Sequence, residues 1–159
     1  MRALRNSLLL LIVTCAAHGA AAESALDKWS AGQKIRWKLH AEGAQLYECK
    51  VAQSGGLAWQ FREPVATLIE GGTTVGTHSA GPQWQVRGTI VTAKVAEQQP
   101  GPTPADIAEL KLAVTNSSTS GLATVLRVNT KGGQLQGACE TAGGLRAIPY
   151  SAEYLFLDN

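Results

Sequence analysis

The chain has 159 residues, 14 basic and 12 acidic side chains, and only 16% charged residues. That length suits one domain and is short for two. With no basic run and no interleaving of basic and aromatic residues, a phosphate-neutralising face is excluded, and with it a nucleic-acid partner.

Residues 1–22 read as a secretory signal peptide. Met1 to Arg5 is short and basic, Leu8 to Val13 is unbroken apolar, and Ala16 to Ala22 supplies small residues for cleavage, placed after Ala22. The apolar run is too short for a bilayer, which needs about 20 residues, and no transmembrane segment is expected in the mature chain. Loss of Arg2 and Arg5 takes the 14 basic groups to 12, level with the 12 acidic ones. The reading is a secreted or periplasmic protein. Cys15 sits where a lipoprotein anchor would stand, but Thr14 before it does not suit that site, and the anchor is not expected. Cys49 and Cys139 then form an even pair in an exported chain, so a disulfide is expected. Two buried free thiols are the alternative.

Residues 23–34 read as a loose lead and 35–159 as a single β-domain. Ile35, Trp37 and Leu39 alternate with polar neighbours, the period-2 pattern of a half-buried strand. After a turn at Ala41 to Ala44, Gln45, Tyr47, Cys49 and Val51 share a face. Leu57, Trp59 and Phe61 form a short strand. Pro64, unable to donate to a ladder, marks an edge or loop. Val65 to Ile69 follows, then a hairpin turn at Glu70 to Thr73. Val75 to Trp84 is the densest cluster of special residues, a Gly-Pro-shaped loop around which the strands are arranged. Thr89 to Val95 is β-branched. Gln98 to Pro104 is a Pro-rich exposed loop. Asp106 to Glu109 suits a helical turn, but Leu110, Leu112 and Val114 favour a strand. Ala123 to Asn129 and Ala147 to Phe156 are further strands, with Tyr150, Ala152, Tyr154 and Phe156 on one face. About nine short strands with Gly-rich turns predict an all-β fold, an antiparallel sandwich or partly closed barrel with one disulfide.

Several of these pieces, in this order and spacing, resemble the DUF3455 domains of exported bacterial and fungal proteins. They are Gly43 to Cys49; Trp59-Gln60-Phe61 with Pro64, Ala66 and Leu68; Val75-Gly76-Thr77-His78 with Gly81, Pro82 and Trp84; Arg127 to Gly133 leading to Cys139; and Tyr150 to Phe156. The resemblance spans Gly43 to Phe156. It implies export and paired cysteines. It implies no activity, because that family's function is unknown. Glu109 departs from the pattern, which places a tryptophan there.

His78 is the most suggestive side chain, suited to general-base work or to a ligand contact. The bland alternative is a loop histidine whose ring bonds the backbone and fixes the turn. Thr77 to Gly81 looks superficially like a nucleophile elbow, but Thr77 replaces the first glycine and a strand pattern follows where a helix is required. No metal is expected, because His40 and His78 lack ligand spacing. No pair of carboxylates is singled out by spacing. Arg127 and Asn129 fall on one strand face and suit a carboxylate or a sugar hydroxyl, or else brace a loop. Trp37 and Trp59 read as core, and Trp84 as the better surface candidate for stacking. Asn116-Ser117-Ser118 is a formal glycosylation sequon, relevant in a eukaryotic host.

The expectation is an exported binding or structural module of the envelope or extracellular space, leaning away from catalysis and needing no cofactor. His78, Trp84, Arg127 and Asn129 would bind a small polar molecule, a glycan or an envelope protein. The alternative is a hydrolase-like enzyme using His78 with a nearby carboxylate.

Overall fold

The computed structural model describes residues 24–159. The segment expected to be a signal peptide, with Cys15, lies outside them. A short helix, α1 (Ala25–Ser30), precedes eight strands: β1 (Lys34–Val51), β2 (Leu57–Glu70), β3 (Thr73–Ser79), β4 (Gln83–Val86), β5 (Thr89–Gln99), β6 (Glu109–Ser117), β7 (Leu122–Gly132) and β8 (Leu145–Asp158). Each strand pairs with its chain neighbour, and β8 returns to β1, closing an antiparallel barrel. The expectation of a sandwich or partly closed barrel thus resolves to a closed barrel, with eight strands rather than about nine.

The strands are fewer because they are longer. Two expected interruptions are continuous strand: the turn at Ala41 to Ala44 runs on within β1, and Pro64, read as an edge or loop, lies inside β2. At Gly43 β1 presses directly on β2, where an added Cβ would overlap the Val65 carbonyl oxygen. Pro64 pairs with Gln45 of β1, and β3 reaches β2 only from Ala66 onward. No β3 neighbour stands beside Pro64, so its missing N–H breaks no ladder on that side. The hairpin turns at Gly71-Gly72 (φ 56° and 81°) and Arg87-Gly88 (φ 48° and 84°) have two central residues in the left-handed region. That geometry matches the twist of the flanking strands.

Inward faces make the core. Leu39, Leu68, Trp84, Val86, Val91, Val125 and Phe156 are all buried in one cluster inside the barrel. Burying each such side chain contributes roughly 1.5–3 kcal/mol. Ile35 does not join Trp37 and Leu39 on that face. A bulge at Arg36 shifts the register between Ile35 and Trp37, so Ile35 pairs with outward Leu157 and is 47% exposed.

The segment read as a loose lead contains α1. Ser24 caps it, its hydroxyl accepting from the Asp27 N–H at 3.2 Å. Ala25 and Trp29 pack on Leu126, Val128, Leu155 and Leu157, the outward faces of β7 and β8. The Trp29 indole N–H donates to Glu97 at 3.0 Å, tying the helix to β5. Among the described residues no helix is long and apolar enough to cross a membrane.

Candidate functional site

The β3–β4 hairpin has strands of only 7 and 4 residues between partners of 14 and 11. It covers the space between β2 and β5 at one end of the barrel and stops short at the other. β4 accompanies β5 only as far as Thr92. The first half of β2 and the second half of β5 therefore face each other across a notch in the wall. The notch opens into an interior cavity of about 510 Å³. Its sill is the turn Ala80-Gly81-Pro82, held to β5 by a hydrogen bond from the Ala93 N–H to the Pro82 carbonyl at 3.4 Å. Eight strands enclose an interior that side chains just fill or that holds one small ligand. Here one half is packed and the other is open.

The floor is aromatic. His78 and Trp84 are directly paired across β3 and β4, and their rings stack at 4.7 Å with planes 5° apart. Tyr154 of β8 meets both edge-on, at 5.1 Å and 5.6 Å. The His78 Nδ1 lies 2.9 Å from the Gln83 carbonyl oxygen. A carbonyl only accepts, so Nδ1 carries the proton and Nε2 the lone pair. Burial, reinforced by the Arg127 charge and opposed by the Gln83 bond, lowers the His78 pKa to about 4. The imidazole is neutral at ordinary pH.

Arg127 enters from β7, paired with Tyr154 on one side and Leu110 on the other. Its Nε and Nη2 donate to the same acceptor, the Ala108 carbonyl, at 3.0 Å and 2.8 Å. Among the described residues it forms no salt bridge, although Arg36, Arg62 and Arg87 all do. The cavity lining carries no carboxylate. Around it, the Gln45 Nε2, Trp84 Nε1 and Tyr154 hydroxyl are buried without a hydrogen-bond partner among the described residues. Tyr154 is close to Arg127 and Tyr150, and burial raises its pKa.

The loops at the open end are braced. Tyr47 donates to the Gly133 carbonyl at 2.7 Å and accepts from the Leu135 N–H at 3.3 Å. The Asp106 carboxylate accepts from the Thr103 N–H and hydroxyl at 2.9 Å and 2.7 Å and from the Gly132 N–H at 2.5 Å. These bonds hold its pKa low. Cys49 of β1 and Cys139 of the β7–β8 loop form the expected disulfide, with Cα atoms 5.9 Å apart.

A family model described as "Protein of unknown function (DUF3455)" matches residues 30–158. The chain belongs to the DUF3455 family. No curated protein and no solved structure matches it.

Of the four residues singled out in the sequence, this DUF3455 barrel brings three to the cavity: His78, Trp84 and Arg127. Asn129 stands apart. A register shift between Val128 and Lys131 and its own φ of 52° turn it out to solvent. Its N–H donates to the Glu109 carboxylate at 2.7 Å. Glu109, in the family's tryptophan position, is buried and works as a brace for this bulge. Trp84 is no surface platform, being only 1% exposed. Trp59 instead lines the cavity, with Arg146 over its ring at 5.0 Å, while Trp37 packs on Phe156. Ser79 is exposed and leads into β4, so no nucleophile elbow forms. His78 bonds a backbone carbonyl, as in the bland alternative, and its ring also lines the cavity. Gln45 and Tyr154 were not singled out. A glutamine on the same face as Tyr47 and Cys49 was the available signal for the first.

Proposed function

We propose that this protein is an exported, non-catalytic barrel that holds one small molecule in its interior. The observation that carries the reading is the cavity of about 510 Å³ with buried polar atoms on its wall that have no partner among the described residues. Unpaired buried polar groups each cost about 1–3 kcal/mol, and a fold that keeps several in one place gains where a ligand pairs them. The volume lies within the usual range for small-molecule pockets, roughly 300–1,000 Å³. The braced loops and the disulfide make the mouth pre-formed, which reduces the ordering that binding requires. The hydrolase alternative needs an acid beside His78. The cavity lining supplies none, and the His78 Nδ1 proton is committed to Gln83.

The test is a thermal-shift screen of the purified protein against glycans, neutral metabolites and small acids. At least one chemical class should raise the melting temperature, and Leu110→Trp, which fills the cavity from β6, should abolish that rise while leaving the fold intact by circular dichroism. A stabilising ligand whose effect survives Leu110→Trp would place binding outside the barrel.

A further inference from the structure

Building on the reading of the cavity as a small-molecule site, we infer that its ligand is an amphiphilic monocarboxylate, with the carboxylate on Arg127 and an apolar body directed to the notch. A guanidinium presents two donor edges, each of two parallel N–H groups. The edge formed by Nε and Nη2 is taken by the Ala108 carbonyl. The end-on edge, one N–H from each Nη, meets no carboxylate or carbonyl among the described residues, and the Tyr154 hydroxyl stands beside the guanidinium. That edge matches the two oxygens of a carboxylate. A half-buried guanidinium without a counter-charge is unfavourable, and the cavity wall offers no acidic side chain to supply one. An incoming anion meets no acidic side chain in the lining.

The partnerless groups on the wall are mostly donors, the His78 Nε2 lone pair being the exception. Gln45 Nε2 and Trp84 Nε1 are donors only, and the Tyr154 hydroxyl can also donate. Such a wall suits acceptor oxygens and disfavours an ammonium or a guanidinium ligand. Much of the remaining lining is apolar, with Trp59, Phe61, Val95, Leu110, Leu112 and Leu135 set among the polar Tyr47 and Gln134. Phe61, 54% exposed, and Val95, 51% exposed, carry the apolar surface out through the notch. A sugar, with hydroxyls on every edge, would strand its polar groups against this surface.

Calorimetric titration of the purified protein with decanoate and 4-phenylbutyrate, each against its matching alcohol, tests the inference. At least one acid should bind ten or more times tighter than its alcohol. Arg127→Gln should remove that preference and leave alcohol binding unchanged, and Arg127→Lys, which keeps the charge without the fork, should fall between. If Arg127→Gln fails to fold, the wild-type acid-to-alcohol ratio and Arg127→Lys decide. Neutral ligands binding with no preference for acids would overturn the carboxylate and leave the binding barrel standing. Silence from these probes and from the wider screen would overturn both.

Discussion

His78 and His40 respond to acid in opposite directions. The folded protein keeps His78 neutral down to about pH 4, whereas unfolding returns it to its ordinary 6.5. Between those values the unfolded chain binds the extra proton. The stability tied to His78 is therefore complete above pH 6.5 and lost as pH falls toward 4, by about 3 kcal/mol. His40 lies on the outer surface between Glu42 at 2.7 Å and Glu153 at 3.0 Å. Those two carboxylates, Glu42 foremost, raise its pKa. Its contribution is full below 6.5 and fades as pH rises through the folded value; exposure to solvent keeps it small. Urea denaturation at intervals from pH 4 to 8 should show a steep acid-side loss in the wild type. His78→Gln should flatten that slope, and His40→Gln should leave it in place.

At the scale of elements, two strands are shaped by residues that would ordinarily interrupt them. A straight strand of 18 residues would run about 60 Å, far beyond a small barrel, so β1 must coil around the core. Gly43 makes the close approach possible: a methyl there would meet Ala66 Cα and Cβ at 2.5 Å and 2.7 Å as well as backbone oxygen. Backbone cannot yield as a flexible side chain does. Gly43→Ala should destabilise the barrel by about 3 kcal/mol. Paired urea melts would show it, and an unchanged midpoint would mean that β1 and β2 can separate there without loss. The same interruptions misled the linear reading. Gly43 and Pro64 look like breaks in sequence, but a barrel uses the first where strands touch and tolerates the second where a strand has no neighbour on one side.

For the whole molecule, the disulfide and the cavity belong together. The bond spans a separation of 90 residues, for which the chain-entropy model gives about 4–5 kcal/mol. It also fixes the β7–β8 loop against β1 at the open end, where Cys139 N–H and Leu57 carbonyl bond at 3.2 Å. Cys49→Ala with Cys139→Ala should therefore lower stability by about 4 kcal/mol and speed hydrogen exchange in residues 133–144 more than in β4 or β5. Exchange that rises evenly over the barrel would instead assign the bond a purely global role.

The all-β class, the cysteine pairing, the hairpin turn at 70–73 and three of the cavity-lining residues, His78, Trp84 and Arg127, were legible in the chain because each rests on local chemistry. Alternation sets strand faces, Gly-rich dipeptides set turns, and two cysteines left as an even pair find each other. Closure into one barrel was not legible, because it depends on β8 meeting β1 across more than a hundred residues. The shift of a single residue at Arg36 and the bulge at Asn129 were equally hidden, and each reverses which side of the wall a side chain occupies. The site itself was decided by a difference in length. A hairpin too short to span its neighbours leaves the notch, and the Val75 to Trp84 stretch proves to be its sill and floor. Strand length is a property of pairing, and pairing exists only once the chain has folded back on itself.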